Sequence, residues 1–296
     1  MSAHHIPNVL TIAGLDPSGG AGILADLKAF SALRTYGMAV VAALTAQNTR
    51  AVTGIAAVDP DFVRLQIDTV FADVRVAAAK TGMLASAPVV RAVADALAPR
   101  RADGTLPVLV VDPVMVAKSG DALLAPEAMA TLIERMLPLA TVLTPNLPES
   151  AVLLGRPAAT DRAGMIRAVE DLRRLLTGAG ERWVLLKGGH LEGDPLDLLY
   201  DGEHLVEMPG HRIATVNTHG TGCTLAAAIT ALIPQRRDVA TAVRAARTYL
   251  VDAIRHSGEL EVGTGHGPVH HFHALWDDED EGAETARFGP APNIES

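Results

Sequence analysis

The stretch NVLTIAGLDPSGGAGILADLKAF, residues 8–30, contains a complete structural unit. Its first six residues form an apolar, β-branched run that reads as a buried strand, and from about residue 20 the apolar positions recur at helical spacing. Turn glycines and Asp16 stand between the two. Strand, glycine-rich turn and helix make the first half of a βαβ unit, and the alternation repeats along the chain. Further strands are expected near 38–46 (MAVVAALTA), 75–79, 107–112 (PVLVVD), 140–144 (ATVLT) and 182–187 (RWVLLK). Helical patterns fall at about 60–72, 86–98, 126–136, 161–177, 222–233 and 238–256. This order predicts an α/β fold with a mostly parallel central sheet and helices on both faces. One segment departs from it: DLLYDGEHLVEMPG (197–210) reads as two short strands around Asp201-Gly202, an antiparallel hairpin at the sheet edge.

The 296 residues are 49% hydrophobic, enough for one large core, and no shift in composition divides them. Residues 1–276 are therefore expected to form one domain. Aromatic residues make up only 3%, which leaves little for stacking on nucleic-acid bases, so nucleic acid is not an expected partner. Of the net charge of −9, residues 277–296 supply −6, with seven acids against Arg287. That tail is too polar to bury itself and is expected to be disordered. A single cysteine suits a reducing compartment. There is no basic leader with an apolar run behind it, and no apolar run reaches about 18 residues. The expectation is a soluble cytoplasmic protein that does not engage a membrane.

Ligands of open α/β sheets bind beyond the carboxyl ends of the strands. Polar residues gather at those ends: Gly14 and Asp16 after the first strand, Gln47 and Asn48 after the second, then Lys80-Thr81-Gly82-Met83, Asp112, Asn146 with Glu149, and Lys187-Gly188-Gly189. The loop at 16–21 is not a Walker loop, because no Gly-Lys-Ser/Thr follows. It would let a small ligand approach the backbone, with Asp26 pointing back from the first turns of the helix. A buried Gln47 needs partners for both a donor and an acceptor, which together match the edge of an aminopyrimidine or could cap neighbouring backbone. Met83 could pack on a flat ring or simply fill core. Asp112 ends a strand where a carboxylate can hold a metal or its waters, and Lys118 follows in a glycine-containing loop. Asn146 and Glu149 can face one point, or serve as a helix cap and its capping-box partner. Such sparse carboxylates suit a nucleotide-bound Mg²⁺. Lys187 ends a buried strand, where an amine needs an anion. The His-rich GHGPVHHFH (265–273) reads as a packed C-terminal strand.

THGTGC (218–223) opens a helix. The N–H groups of Gly220, Thr221, Gly222 and Cys223 would form an anion hole. The same field would acidify Cys223, the only cysteine, into a proton acceptor near neutral pH. The bland alternative is a small buried residue starting a helix.

Taken in order from about residue 8 to 276, these motifs resemble the hydroxymethylpyrimidine/phosphomethylpyrimidine kinases of thiamine biosynthesis, in the ribokinase-like superfamily. The resemblance implies a three-layer ribokinase-like sandwich. It also implies two successive ATP-dependent phosphorylations, of 4-amino-5-hydroxymethyl-2-methylpyrimidine and then of its monophosphate, with Mg²⁺ and in a homodimer. By the same resemblance Gly14, Asp26, Gln47 and Met83 bind the pyrimidine. Asn146, Lys187 and Thr218 meet the nucleotide, Asp112 and Glu149 the metal, and Gly220 to Cys223, with Lys187, carry the transfer. The hairpin at 197–210 is the expected dimer element. Pyridoxal or pyridoxine kinase activity is the near alternative; a thiol hydrolase built on Cys223 and His219 would leave Lys187, Asn146 and Glu149 without purpose, and a silent ligand-binding protein would bind the pyrimidine without turning over ATP.

Overall fold

The computed structural model describes residues 5–115 and 125–276. The expectations for Lys118 and for the acidic tail at 277–296 lie outside the described residues. Nine strands form one sheet in the order β3-β2-β1-β4-β5-β6-β7-β8-β9. They are β1 (Asn8–Leu15), β2 (Tyr36–Gln47), β3 (Val52–Ala57), β4 (Ala78–Thr81), β5 (Leu109–Val111), β6 (Val142–Leu143), β7 (Trp183–Leu186), β8 (Leu196–Tyr200) and β9 (Leu205–Pro209). Six of them run parallel, while β3 on one edge and the β8–β9 hairpin on the other are antiparallel.

Strand parity distributes the helices. Leu10, Ile12, Ala79, Val111, Leu143 and Leu186 face α2 (Pro60–Asp73), α3 (Ala87–Ala102), α4 (Pro126–Thr131), α5 (Leu147–Leu154) and α6 (Arg162–Leu175). Val9, Ala78, Val110, Val142 and Leu185 face α1 (Gly22–Ala32), α7 (Thr221–Leu232) and α8 (Val239–Arg255). Successive strand residues point to opposite faces, so both sides of the parallel strands must be apolar. The result is helices, sheet and helices in three layers.

Local signals set the helix ends. Asp59 accepts from Asp61 N and Phe62 N ahead of Pro60 in α2, and Asp161 and Asp238 cap α6 and α8. The strand expected at 75–79 lies instead at 78–81. β3 was not expected, and five of its six residues are exposed. The His-rich segment corrects its expectation: it forms one parallel bridge, Pro268 to His219, and then turns. Pro268 and the glycines Gly263, Gly265 and Gly267 lie within or beside it, and its backbone serves loops rather than a ladder.

Candidate active site

The phosphate end is assembled by the same parity. Asp112, Thr144 and Lys187 each stand two residues beyond a side chain packed on the α7 side, namely Val110, Val142 and Leu185, so all three point toward α7. Thr144 Oγ1 donates to Asp112 Oδ1 at 2.9 Å, and Lys187 Nζ reaches the same oxygen at 3.3 Å. Asn146 caps α5. Its Oδ1 accepts from Glu149 N at 2.8 Å, and its own N–H donates to Glu149 Oε2 at 2.8 Å. The capping-box reading is therefore realised, yet it uses one carboxylate oxygen and leaves Oε1. Burial pushes the Glu149 carboxyl up to about 7, and the charge of Asp112 adds to this against the pull of Lys187 and the Asn146 N–H. For Lys187, burial works against the charge, but Asp112 and Glu149 outweigh it and hold the amine above its ordinary value. Two carboxylates and a committed cation thus share one point.

Helix α7 starts at that point. Gly220 has φ +75°, and a Cβ there would stand 1.8 Å from Gly20 O, so no side chain fits. Thr218 O accepts from Thr221 N at 3.4 Å and Thr221 Oγ1 at 3.2 Å. No side chain caps the helix, and by position the Gly222 and Cys223 N–H groups have no partner within it. A Cβ placed on Gly222 would stand 3.5 Å from Lys187 Nζ and 3.9 Å from Asp112 Oδ2. Helix dipole, ammonium and carboxylate therefore meet where a phosphoryl group could be held. The expected acidity of Cys223 is corrected. Burial pushes the thiol up to about 11, and Asp26 and Asp112 add to it, while Lys80 and the Gly22 N–H pull the other way. At neutral pH the thiol is therefore held protonated.

The ring end lies along β1, β2 and β4. A Cβ on Gly14 would meet Met83 Cε at 2.5 Å, so the backbone of β1 and the Met83 side chain are in close contact and form one wall. Opposite, His219 Nε2 lies 2.7 Å from Asp16 Oδ2 and 3.4 Å from Gln47 Nε2. A hydrogen on that nitrogen goes to the carboxylate, the stronger acceptor. His219 then offers Gln47 no lone pair, and the amide donors of Gln47 remain for a ligand. Burial would raise Asp16, but hydrogen bonds from His219 and Ser18 hold it below the usual carboxylate range. The Asn48–Ala51 turn after Gln47 is buttressed by the C-terminal segment, with His266 N donating to Thr49 O and Gly265 N to Thr49 Oγ1.

Asp26 is placed differently from the other ring-site candidates. It is fully buried, with both oxygens on Lys80 Nζ at 2.8 and 2.9 Å and Oδ2 also accepting from Thr11 Oγ1 at 2.6 Å. A ligand bond would have to use the remaining acceptor site of Oδ1 or replace one of these partners. Lys80 pairs with Thr11 across β1 and β4, so both polar side chains share the α1 face with Asp26. Burial opposes the Lys80 charge, yet Asp26, with Cys223 and Asp112, keeps it protonated and raises its pKa. Lys80, Thr144 and Asp16 were given no role from sequence, and His219 only one in the thiol-hydrolase alternative. Only the strand-end positions of Lys80 and Asp16 pointed to them.

The profile of a family described as phosphomethylpyrimidine kinase matches residues 16–270. The hydroxymethylpyrimidine/phosphomethylpyrimidine kinase of Rhizobium meliloti is 52% identical over 270 residues, covering 91% of this chain and 98% of its own. The Escherichia coli protein of the same name is 50% identical, with the same shares covered. Bacillus subtilis pyridoxal kinase, solved as an ADP complex, superposes with a TM-score of 0.80 at 34% identity, over 91% of this chain and 99% of that one. The fold is thus the ribokinase-like sandwich that the resemblance implied. With the family profile spanning residues 16–270 and relatives of that name at 50–52% identity over nearly their whole length, the chain belongs to the phosphomethylpyrimidine kinase family.

Proposed function

We propose that the chain transfers the γ-phosphoryl group of ATP to 4-amino-5-hydroxymethyl-2-methylpyrimidine and then to the resulting monophosphate, on the route to thiamine diphosphate. One observation carries this. A polar ring-edge reader, Gln47, stands beside His219, and the residue after His219 begins the phosphate-binding helix turn. Ring and phosphate sites are thereby joined through adjacent residues. The relatives at 50–52% identity support the choice of substrate.

In this reading Met83 and Gly14 wall the ring, and Gln47 offers its donors to a ring nitrogen and its carbonyl to the exocyclic amine. The substrate hydroxyl attacks the γ-phosphorus as the bond to the leaving ADP oxygen breaks. Transfer runs through a loose transition state, so positioning and charge dominate. Lys187 and the Gly222 and Cys223 N–H groups take up charge on the phosphoryl oxygens, while Asn146 and Thr218 flank the nucleotide. A thiol near 11 is a poor base at neutral pH. Cys223 therefore orients the hydroxyl, whose proton leaves late, once the new P–O bond has acidified it, and passes to a phosphoryl oxygen and on to water. Asp112 and Glu149 would hold Mg²⁺. The raised Glu149 beside Asp112 is a carboxylate pair in want of a cation, and two carboxylates suffice when phosphate oxygens complete the shell. Bound there, Mg²⁺ supplies neutralisation of phosphate charge.

We assign catalysis to a unit spanning residues 1–276 that works as a homodimer. Among the described residues no helix is long and apolar enough to cross a membrane. The dimer face moves from the 197–210 hairpin to β3. The β9 edge carries Glu207, paired with Arg162, and Pro209, whereas β3 (VTGIAA) has no charge at all and leaves Ile55 exposed.

The test is ADP release from Mg-ATP with hydroxymethylpyrimidine or pyridoxal, with products identified by mass. Sequential mono- and diphosphate of the pyrimidine is the expected result. Turnover of pyridoxal alone would overturn the substrate assignment in favour of the vitamin B6 reading, which the Bacillus subtilis structure keeps in view.

A further inference from the structure

Lys187 is gripped on both sides of its Cα. Its N–H donates to Pro145 O at 2.9 Å. On the other side the β7–β8 ladder ends at Leu186 paired with Leu198, so the next peptide needs a partner elsewhere. The Gly188 N–H finds it in the Asp197 side chain, donating to Oδ1 at 2.8 Å. Gly188 lies so close to β8 that a Cβ would stand 1.9 Å from Leu196 O. Asp197 is itself held: Arg247 Nε, from α8, donates to Oδ2 at 2.9 Å, and Arg247 Nη2 donates to Met208 O at 2.7 Å. Both side chains are largely buried, 14% and 19% exposed.

From this geometry we infer that Asp197, locked by Arg247, is a positioning residue that aims Lys187 at the transferred phosphoryl group by fixing the Gly188 peptide. A planar peptide transmits the constraint: with Gly188 N held, the Lys187 carbonyl plane is held, and only the side-chain torsions remain to be settled by Asp112. The hydrogen bonds of Asp197 and Arg247 go to the Gly188 N–H, to each other and to Met208 O, so the link from this pair to the site runs through the Lys187–Gly188 peptide. The inference rests on the kinase reading of that lysine.

A double-mutant cycle on the full chain tests it, with kcat and KM measured at saturating Mg-ATP and melting temperature recorded for each variant. Asp197→Ala should lower kcat about tenfold and leave the pyrimidine KM within about twofold, since a misaimed group costs rate rather than ring binding. Arg247→Met should reproduce the loss, and Arg247→Lys, which keeps a cation on Oδ2, should restore most of it. In a Lys187→Ala background, Asp197→Ala should cost less than about twofold more. If Asp197→Ala does not fold, Arg247→Met carries the same cycle. A loss that multiplies in full onto Lys187→Ala, or a lowered melting temperature with kcat intact, would overturn the inference alone. Undiminished kcat in Lys187→Ala itself would overturn the kinase role of the lysine, and the inference with it.

Discussion

Glu149 allows the site's internal conflict to be measured as stability. The carboxyl ionises near 7 rather than 4.5, mainly through burial and secondarily through Asp112. Because its folded pKa is raised, the folded state binds the proton more tightly, and wild-type stability should fall as pH rises from about 4.5 through 7. At about 1.4 kcal/mol per pH unit, the ionised carboxylate carries roughly 3 kcal/mol of penalty above pH 7. Glu149→Gln keeps an acceptor for the Asn146 N–H, so the capping box survives. It also removes one carboxylate from Lys187, which retains Asp112 at 3.3 Å, and this trims the gain to about 1–3 kcal/mol. Thermal melts should therefore show Glu149→Gln more stable than wild type at pH 8, by about 2–6 °C for a domain of this size. The gap should close toward pH 5, while kcat drops at least about tenfold. A gap of the same size at both pH values, or a variant less stable at pH 8, would refute the placement of a strained carboxylate here.

Other perturbations address other parts of the site. Lys80→Met should leave Asp26 as an uncompensated buried charge and cost about 3–5 kcal/mol, seen in denaturant melts, with most of it recovered in Lys80→Met/Asp26→Leu. Gly220→Ala, whose new Cβ would meet Gly20 O, should lower kcat about 100-fold or more with a smaller change in the pyrimidine KM, measured in steady state. Alkylation of Cys223 in the ligand-free protein should rise with a midpoint near 11, and Cys223→Ala should lower kcat less than Lys187→Ala does; a midpoint below about 8, or equal losses, would contradict the positioning account. Ile55→Lys on the uncharged β3 edge should shift the protein from dimer to monomer in analytical ultracentrifugation, whereas a charge at Val206 on β9 should not.

The parallel strands were legible because both their faces are buried, which makes them continuous apolar runs such as PVLVVD and RWVLLK. β3 was not, since an exposed edge strand lacks both a run and an alternation. Helix α5 has only eight residues between Asn146 and Gly155, too few for periodicity, so its capping box was its whole signal. Most candidate site residues were legible from one rule, that ligands meet strand ends, and the structure does gather Asp112, Glu149, Lys187 and the α7 start. The roles within the gathering were less so. Lys80 and Asp26 are 54 positions apart and meet only through the β1–β4 register. The helix N-terminus at Cys223 could be read from THGTGC, but the burial that pushes its thiol upward depends on Asp26, Asp112 and packing from distant elements.

The bridge from His219 to Pro268 and the contact of Gly220 with Gly20 also bear on biosynthesis. A chain emerging from the ribosome can pair β1 with β2 and β4 early, since these lie within its first 81 residues. Its pocket must wait, because the Gln47 turn and His219 are braced by Gly265, His266 and Gly267, among the last residues of the described fold. Premature termination before residue 265 would thus leave a sheet able to form and a catalytic centre without its back wall. Such fragments would present exposed ribbon and helix surfaces to chaperones and proteases while contributing no turnover.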